Sequence, residues 1–170
     1  VLANTKPVAK VVVASGNVTA RNEESARSLE RRASIYEGET VLTGVDSRSQ
    51  LRFNDGALLS LDPQTELVIE TYRRNPDDPE KSRALLKMVE GGLRTITGAI
   101  AEEFPEGYEV ETPVAGIGVR GTDFQVVMAD TELVAAAWQG KVLVSNEVGQ
   151  LPIGDDQSYR FARVQKGQAP

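Results

Sequence analysis

The chain has 170 residues, 25 acidic against 19 basic side chains and a formal net charge of −6, with 40% hydrophobic and 26% charged residues. These proportions fit a globular protein large enough for a real core, while the acidic balance argues against a nucleic-acid binder, which needs a basic stripe. Cysteine and histidine are both absent, so disulfides, thiolate metal sites and the usual general base are unavailable.

No apolar run approaches the roughly 20 residues of a membrane helix. Val1 to Lys6 lacks the basic start and apolar centre of a signal peptide. A sequence opening on valine is expected to be a processed or trimmed form, its export signal removed. Lys6 to Ala14, with Val11, Val12 and Val13 in a row, reads as a buried strand that turns at Ser15-Gly16-Asn17 into Val18-Thr19-Ala20. Arg21 to Arg32 is charged and reads as a solvated loop anchored by Leu29. Ser34-Ile35-Tyr36 and Thr40 to Thr43 are short strands, and Gln50 to Phe53 alternates. Asn54-Asp55-Gly56 is the clearest hairpin signal, because Asp-Gly supplies the positive φ of a tight turn. Leu58 to Leu61 returns from it. Asp46, Asp55 and Asp62 are turn-makers.

Glu66 to Tyr72 is a strand, and Asn75 to Glu80 a surface loop. Ala84 to Val89 has helical propensity but is short and ends in Glu90-Gly91-Gly92, so it is expected to pair as a strand. Leu93 to Thr97 is another, and Ala99 to Phe104 one turn of helix stopped by Pro105. Val110 between Glu109 and Glu111 begins a half-buried strand that Thr112-Pro113 ends. Gly116, Gly118 and Gly121 then fall close together around Arg120, and alternation resumes from Phe124 to Met128. This reads as two strands flanking a glycine-rich bend that presents one arginine. A phosphate loop is disfavoured because β-formers, not a helix, follow the glycines. Arg120 is either a staple, donating to carbonyls at the bend or to a buried carboxylate, or a contact for a partner or ligand. Glu132 to Trp138 leads into Gln139 to Val144, Leu151 to Phe161 supplies one or two edge strands, and Val164 to Pro170 frays.

Ser15-Gly16-Asn17-Val18, Glu90-Gly91-Gly92-Leu93 and Gln139-Gly140-Lys141-Val142 form a weak repeat, each a glycine turn feeding an apolar residue. Short strands with turns between them predict an all-β fold: stacked antiparallel strands in a β-roll or β-sandwich, with little or no helix. One domain over 1–170 is expected, its core about 8–164 and its tail 165–170 frayed. Acid pairs such as Glu102-Glu103 and Asp155-Asp156 sit in turns and are expected to be solvated rather than catalytic or calcium-binding. Trp138, beside three alanines, is expected in the core.

Thr112, Pro113, Ala115, Gly118, Val119, Arg120, Gly121, Thr122 and Phe124 spell T-P-x-A-x-x-G-V-R-G-T-x-F, which resembles the hallmark of the FecR domain family. Blocks at Tyr36 to Gly44, Leu51 to Leu61 and Gly91 to Arg94 continue the resemblance in order, from about Gly16 to about Asn146. It implies the same all-β outcome and a periplasmic module of the Gram-negative envelope working through protein contacts. In the full regulators such a domain follows an anti-sigma segment and a membrane helix, neither of which is expected in this chain. It takes a signal from an outer-membrane receptor's signalling domain and passes it to a sigma factor. The expected site is Thr112, Pro113, Gly118, Arg120, Gly121, Thr122 and Phe124, as a partner-binding surface or a structural motif. A partner is expected to dock on an exposed edge strand or on Gly116 to Thr122 by adding a strand. No catalytic, metal or cofactor residue is expected. The alternative reading is an envelope glycan- or peptidoglycan-binding module that stacks sugars on Trp138 or the tyrosines.

Overall fold

The computed structural model of the protein describes residues 6–170, without the side chain of Thr122. The strands are β1 (Ala9–Ser15), β2 (Val18–Arg21), β3 (Ala26–Ser28), β4 (Ser34–Ile35), β5 (Thr40–Thr43), β6 (Arg48–Phe53), β7 (Leu58–Leu61) and β8 (Glu66–Arg73). They continue as β9 (Arg83–Ile96), β10 (Tyr108–Glu111), β11 (Gly116–Ala129), β12 (Glu132–Ser145), β13 (Gln150–Gly154) and β14 (Phe161–Gln165). One short helix, α1 (Ala99–Glu103), lies between β9 and β10. Among the described residues no helix is long and apolar enough to cross a membrane.

Pairing joins all fourteen strands into one sheet, and that sheet folds into two layers because its longest strands change partners halfway. The first half of β9 lies between β8 and β10, while its second half lies between β7 and β11. The first half of β12 pairs β14 and the second half β13. One layer therefore runs β3-β2-β5-β8-β9-β10-β11-β12-β13, and the other β4-β1-β6-β7-β9-β11-β12-β14. The layers face each other: the rings of Phe53 on β6 and Tyr72 on β8 stack at 4.1 Å. Leu51, Leu59, Leu67, Leu86, Leu93 and Ile117 are fully buried between them, each worth about 2 kcal/mol of apolar burial. The all-β expectation holds, with one parallel pair, β9 with β10, among the antiparallel ones.

The corners explain the weak glycine repeat. Gly16, Gly91 and Gly140 have φ of +77°, +93° and +79°, a region other residues reach only with strain. A Cβ on Gly91 would also stand 2.4 Å from Thr65 Cα. Gly91 thus bends one continuous strand rather than separating two, and the expected strands Ala84 to Val89 and Leu93 to Thr97 are halves of β9. Three further expectations change. Arg21 to Arg32 contains edge strand β3 paired with β2, although Leu29 is buried as expected. The triple valine is buried only at Val11, and Val13 faces solvent because the pairing of β1 with β6 shifts register between Val11 and Val13, which reverses the alternation. The tail does not fray: Val164 is buried in β14, Lys166 N–H donates to Thr131 O at 2.8 Å and Asn146 Nδ2 to Gln168 O at 2.6 Å.

The Asp55-Gly56 hairpin joins β6 to β7, with Gly56 at φ +92°. Asp55 does more than make that turn. Its Oδ1 accepts from Ala57 N–H at 3.1 Å and from the Tyr72 hydroxyl at 2.9 Å, and its Oδ2 accepts from Ile100 N–H at 3.1 Å. One carboxylate ties the hairpin to the opposite layer and to α1.

Candidate functional site

The hallmark stretch is built differently from the bend that glycine density implies. The turn between β10 and β11 is Thr112-Pro113-Val114-Ala115, held by Thr112 Oγ1, which accepts from Val114 and Ala115 N–H and donates to Ala115 O. Gly116, Gly118 and Arg120 lie inside β11 on alternate positions, and none of these glycines has a positive φ. In a strand, alternate residues share a face. Ile117 and Val119 point into the core, so Gly116, Gly118 and Arg120 point outward.

The missing side chain of Gly118, followed by Arg120 on the same face, leaves a groove on the outer face. Its volume is about 430 Å³, with Gly118 as floor, Glu109 and Pro105 on one wall and Leu143 and Pro152 on the other. Arg120 and Lys141 close one end. Further depressions adjoin it at Arg120, Gly121 and Glu102, and at Pro113, Gly116 and Val148. The Arg120 side chain is 74% exposed, and the carboxylate that reaches it is Glu106 at 3.9 Å, itself 61% exposed. One form of the staple, a guanidinium paired to a buried carboxylate, is therefore not what the structure holds.

The seven expected residues divide by location. Thr112, Pro113, Gly118, Arg120 and Gly121 line the surface depressions, two of them with a second role. Thr112 holds the turn. Gly121 packs against Gly140, and its carbonyl accepts from Thr97 Oγ1 at 2.7 Å. Phe124 is a core side chain. The side chain of Thr122 lies outside the described residues. Lys141, Leu143 and Pro152 escape a sequence reading because only the pairing of β11 with β12 and of β12 with β13 brings them alongside Gly118.

Strand addition at Gly116 to Gly118 is not available, because β11 is paired there to β12 on one side and to β10 on the other. The four residues between the β10 and β9 pairings leave only a short gap, in which Thr97 Oγ1 donates to Gly121 O. A partner there meets side chains across a sheet face. Among the strands with an open side, β3 and β4 are very short and β13 carries Pro152, features that blunt an edge, while β14 (Phe161–Gln165) has neither.

Trp138 is the other correction. It is 43% exposed, edge-on to Phe161 at 5.7 Å, with the Arg94 guanidinium 5.7 Å from its ring. Phe124 opposes Ala137 and Asp123 opposes Gln139, so Trp138 is the extra residue of a β-bulge. Leu133, Ala135 and Ala137 face the core, so Trp138 takes the alternate, outward position, and the bulge reverses the phase only beyond it, where Val142 and Val144 turn inward. Arg94 is itself held by Asp123 at 3.0 and 2.7 Å. Asp155, expected as a solvated turn acid, accepts from Gly140 N–H at 2.8 Å and pairs with Arg160 at 2.9 Å. The Gly140 amide and then Arg160 hold its carboxyl below the ordinary aspartate value.

Residues 39–143 match the family described as FecR protein. Two crystal structures of a proposed anti-sigma factor from Parabacteroides distasonis ATCC 8503, at 1.65 and 2.50 Å resolution, share the fold with TM-scores of 0.58 and 0.57 at 18% identity. The alignments cover 77% of this chain and 57% and 56% of those chains, so it spans little more than half their length. No curated protein matches the sequence.

Proposed function

Because the chain belongs to the FecR protein family, we propose that it is a signal-regulatory module of the bacterial envelope that works by protein contact rather than catalysis. It sits on the periplasmic side, receives a signal from an outer-membrane receptor's signalling domain and passes it towards a sigma factor. The observation that carries this reading is the groove over Gly118. The family hallmark contributes its floor and one end, and an exposed, poorly paired Arg120 is presented beside it. Surface arginine next to an apolar recess is the composition of a protein-contact site.

The test is capture of envelope protein by the immobilised chain, comparing wild type with Gly118→Val. A Cβ on Gly118 would meet only Leu143, at 3.9 and 4.0 Å, so the variant fills the groove without disturbing the backbone. Retention of a receptor signalling domain by wild type and its loss in Gly118→Val supports the reading. Identical retention by both proteins sinks it.

A second reading, glycan binding, is favoured by the exposure of Trp138 beside Phe161, since an accessible indole is a stacking platform. Quenching of tryptophan fluorescence by peptidoglycan fragments, with no groove-dependent protein capture, would select it.

A further inference from the structure

We infer that the groove takes an extended peptide carrying a carboxylate, seated between Arg120 and Lys141; this rests on the groove being the docking site proposed above. Arg120 and Lys141 are register partners on adjacent antiparallel strands. Like charges directly opposite one another oppose folding, so the pairing does nothing for the sheet. Among the described residues neither cation has a close ion-pair partner. Glu106 stands 3.9 Å from Arg120, and Asp156, 89% exposed, stands 3.7 Å from Lys141. Glu109, the other acid of the groove, is bound to Arg83 at 3.3 Å. Several other arginines are held tightly, as in Arg27–Glu39 at 2.8 Å, Arg94–Asp123 at 2.7 Å and Arg163–Glu132 at 2.6 Å. In a protein of net charge −6, two adjoining, loosely paired cations at the end of an apolar recess complement an anion.

The form of the occupant follows from the strand. Arg120 is two residues beyond Gly118, about 7 Å along the face, which is also the spacing of alternate side chains in an extended peptide. A small apolar side chain over Gly118, against Leu143 and Pro152, places the next groove-facing side chain between the cations. A planar guanidinium suits a carboxylate there. A sugar fits less well, because the one aromatic residue lining this groove, Tyr108, is buried in the core.

The probe is an end-blocked hexapeptide, Ser-Val-Ser-Glu-Ser-Val, titrated into the whole chain and followed by the amide resonances of Gly116 and Gly118, with the same peptide bearing glutamine as its counterpart. The expected result is binding of the glutamate peptide about fivefold tighter than the glutamine peptide, the scale of an exposed charge pair. That preference disappears in Arg120→Gln and falls with added salt, while Gly118→Val binds neither peptide. Equal affinity for both peptides, lost in Gly118→Val, overturns the carboxylate inference and leaves the docking groove standing. No perturbation by either peptide, with envelope capture still lost in Gly118→Val, overturns the inference alone. No perturbation and groove-independent capture overturns both. Perturbation by a peptide-free oligosaccharide of N-acetylglucosamine but not by the hexapeptides overturns the peptide assignment.

Discussion

Gly121 on β11 and Gly140 on β12 meet backbone to backbone: a Cβ built on Gly121 would stand 2.4 Å from Gly140 Cα and 2.7 Å from Lys141 N. The two strands cross this point out of register, with Arg120 opposite Lys141 and Asp123 opposite Gln139, so two residues of β11 face one of β12. Such a bulge bends the pair, and here it carries β11 and β12 from one layer into the other.

The two neighbouring glycines of β11 should therefore respond in opposite ways to one methyl group. Gly121→Ala pushes a Cβ into backbone atoms that cannot yield and should cost about 3 kcal/mol. Gly118→Ala meets only ordinary contacts and should change stability by less than about 1 kcal/mol, in the stabilising direction. Urea unfolding of the two variants checks this. Equal midpoints would mean that the close approach does not constrain the fold.

Asp55 holds three donors from three parts of the chain. Asp55→Ala leaves the Ile100 and Ala57 amides and the buried Tyr72 hydroxyl without their acceptor, and should cost about 3 kcal/mol. Thermal unfolding would show this. A loss below about 1 kcal/mol would reduce Asp55 to an ordinary turn residue.

Stability should fall in acid through Glu37. Partial burial raises its pKa, but the hydrogen bond from Arg73, then the one from Tyr72 N–H at 3.0 Å, outweigh it and leave the carboxyl below its ordinary value. A depressed folded pKa stabilises above the unfolded value and is lost as pH drops through the folded one, here below about 4. Glu37→Gln should flatten that limb of a plot of stability against pH. An unchanged slope would remove Glu37 from the cause.

Stability should also fall in strong alkali. Burial pushes the hydroxyls of Tyr72 and Tyr108 above the ordinary tyrosine value. Both stay neutral in the folded protein, so their contribution is complete below about 10 and declines as the unfolded tyrosines ionise above it. Tyr108→Phe should shrink the decline seen in denaturant midpoints between neutral and alkaline pH.

Trp138 is the one tryptophan, so its fluorescence reports a single site. An exposed indole should quench readily with acrylamide and emit near the wavelength of a solvated tryptophan. Trp138→Phe should alter stability by about 1 kcal/mol or less, as surface changes do. Blue-shifted, quench-resistant emission would return the residue to the core.

The sequence by itself determined the all-β architecture, the Asp55-Gly56 hairpin and the single turn of helix before Pro105. These follow from local chemistry: alternation with period two, a positive φ that glycine supplies and a ring that stops a helix. Part of the groove was legible as well. Gly116-Ile117-Gly118-Val119-Arg120 alternates like any strand, but the glycines look like a bend because bends and cleared sheet faces both call for residues without side chains. Only the tertiary structure decided the rest. Lys141, Leu143 and Pro152 reach Gly118 through pairings between separate strands, and Arg120 faces Lys141 through the register of β11 on β12. Trp138 turns outward because the packing of the layers gives Leu133, Ala135 and Ala137 to the core and leaves the alternate face of β12 to solvent.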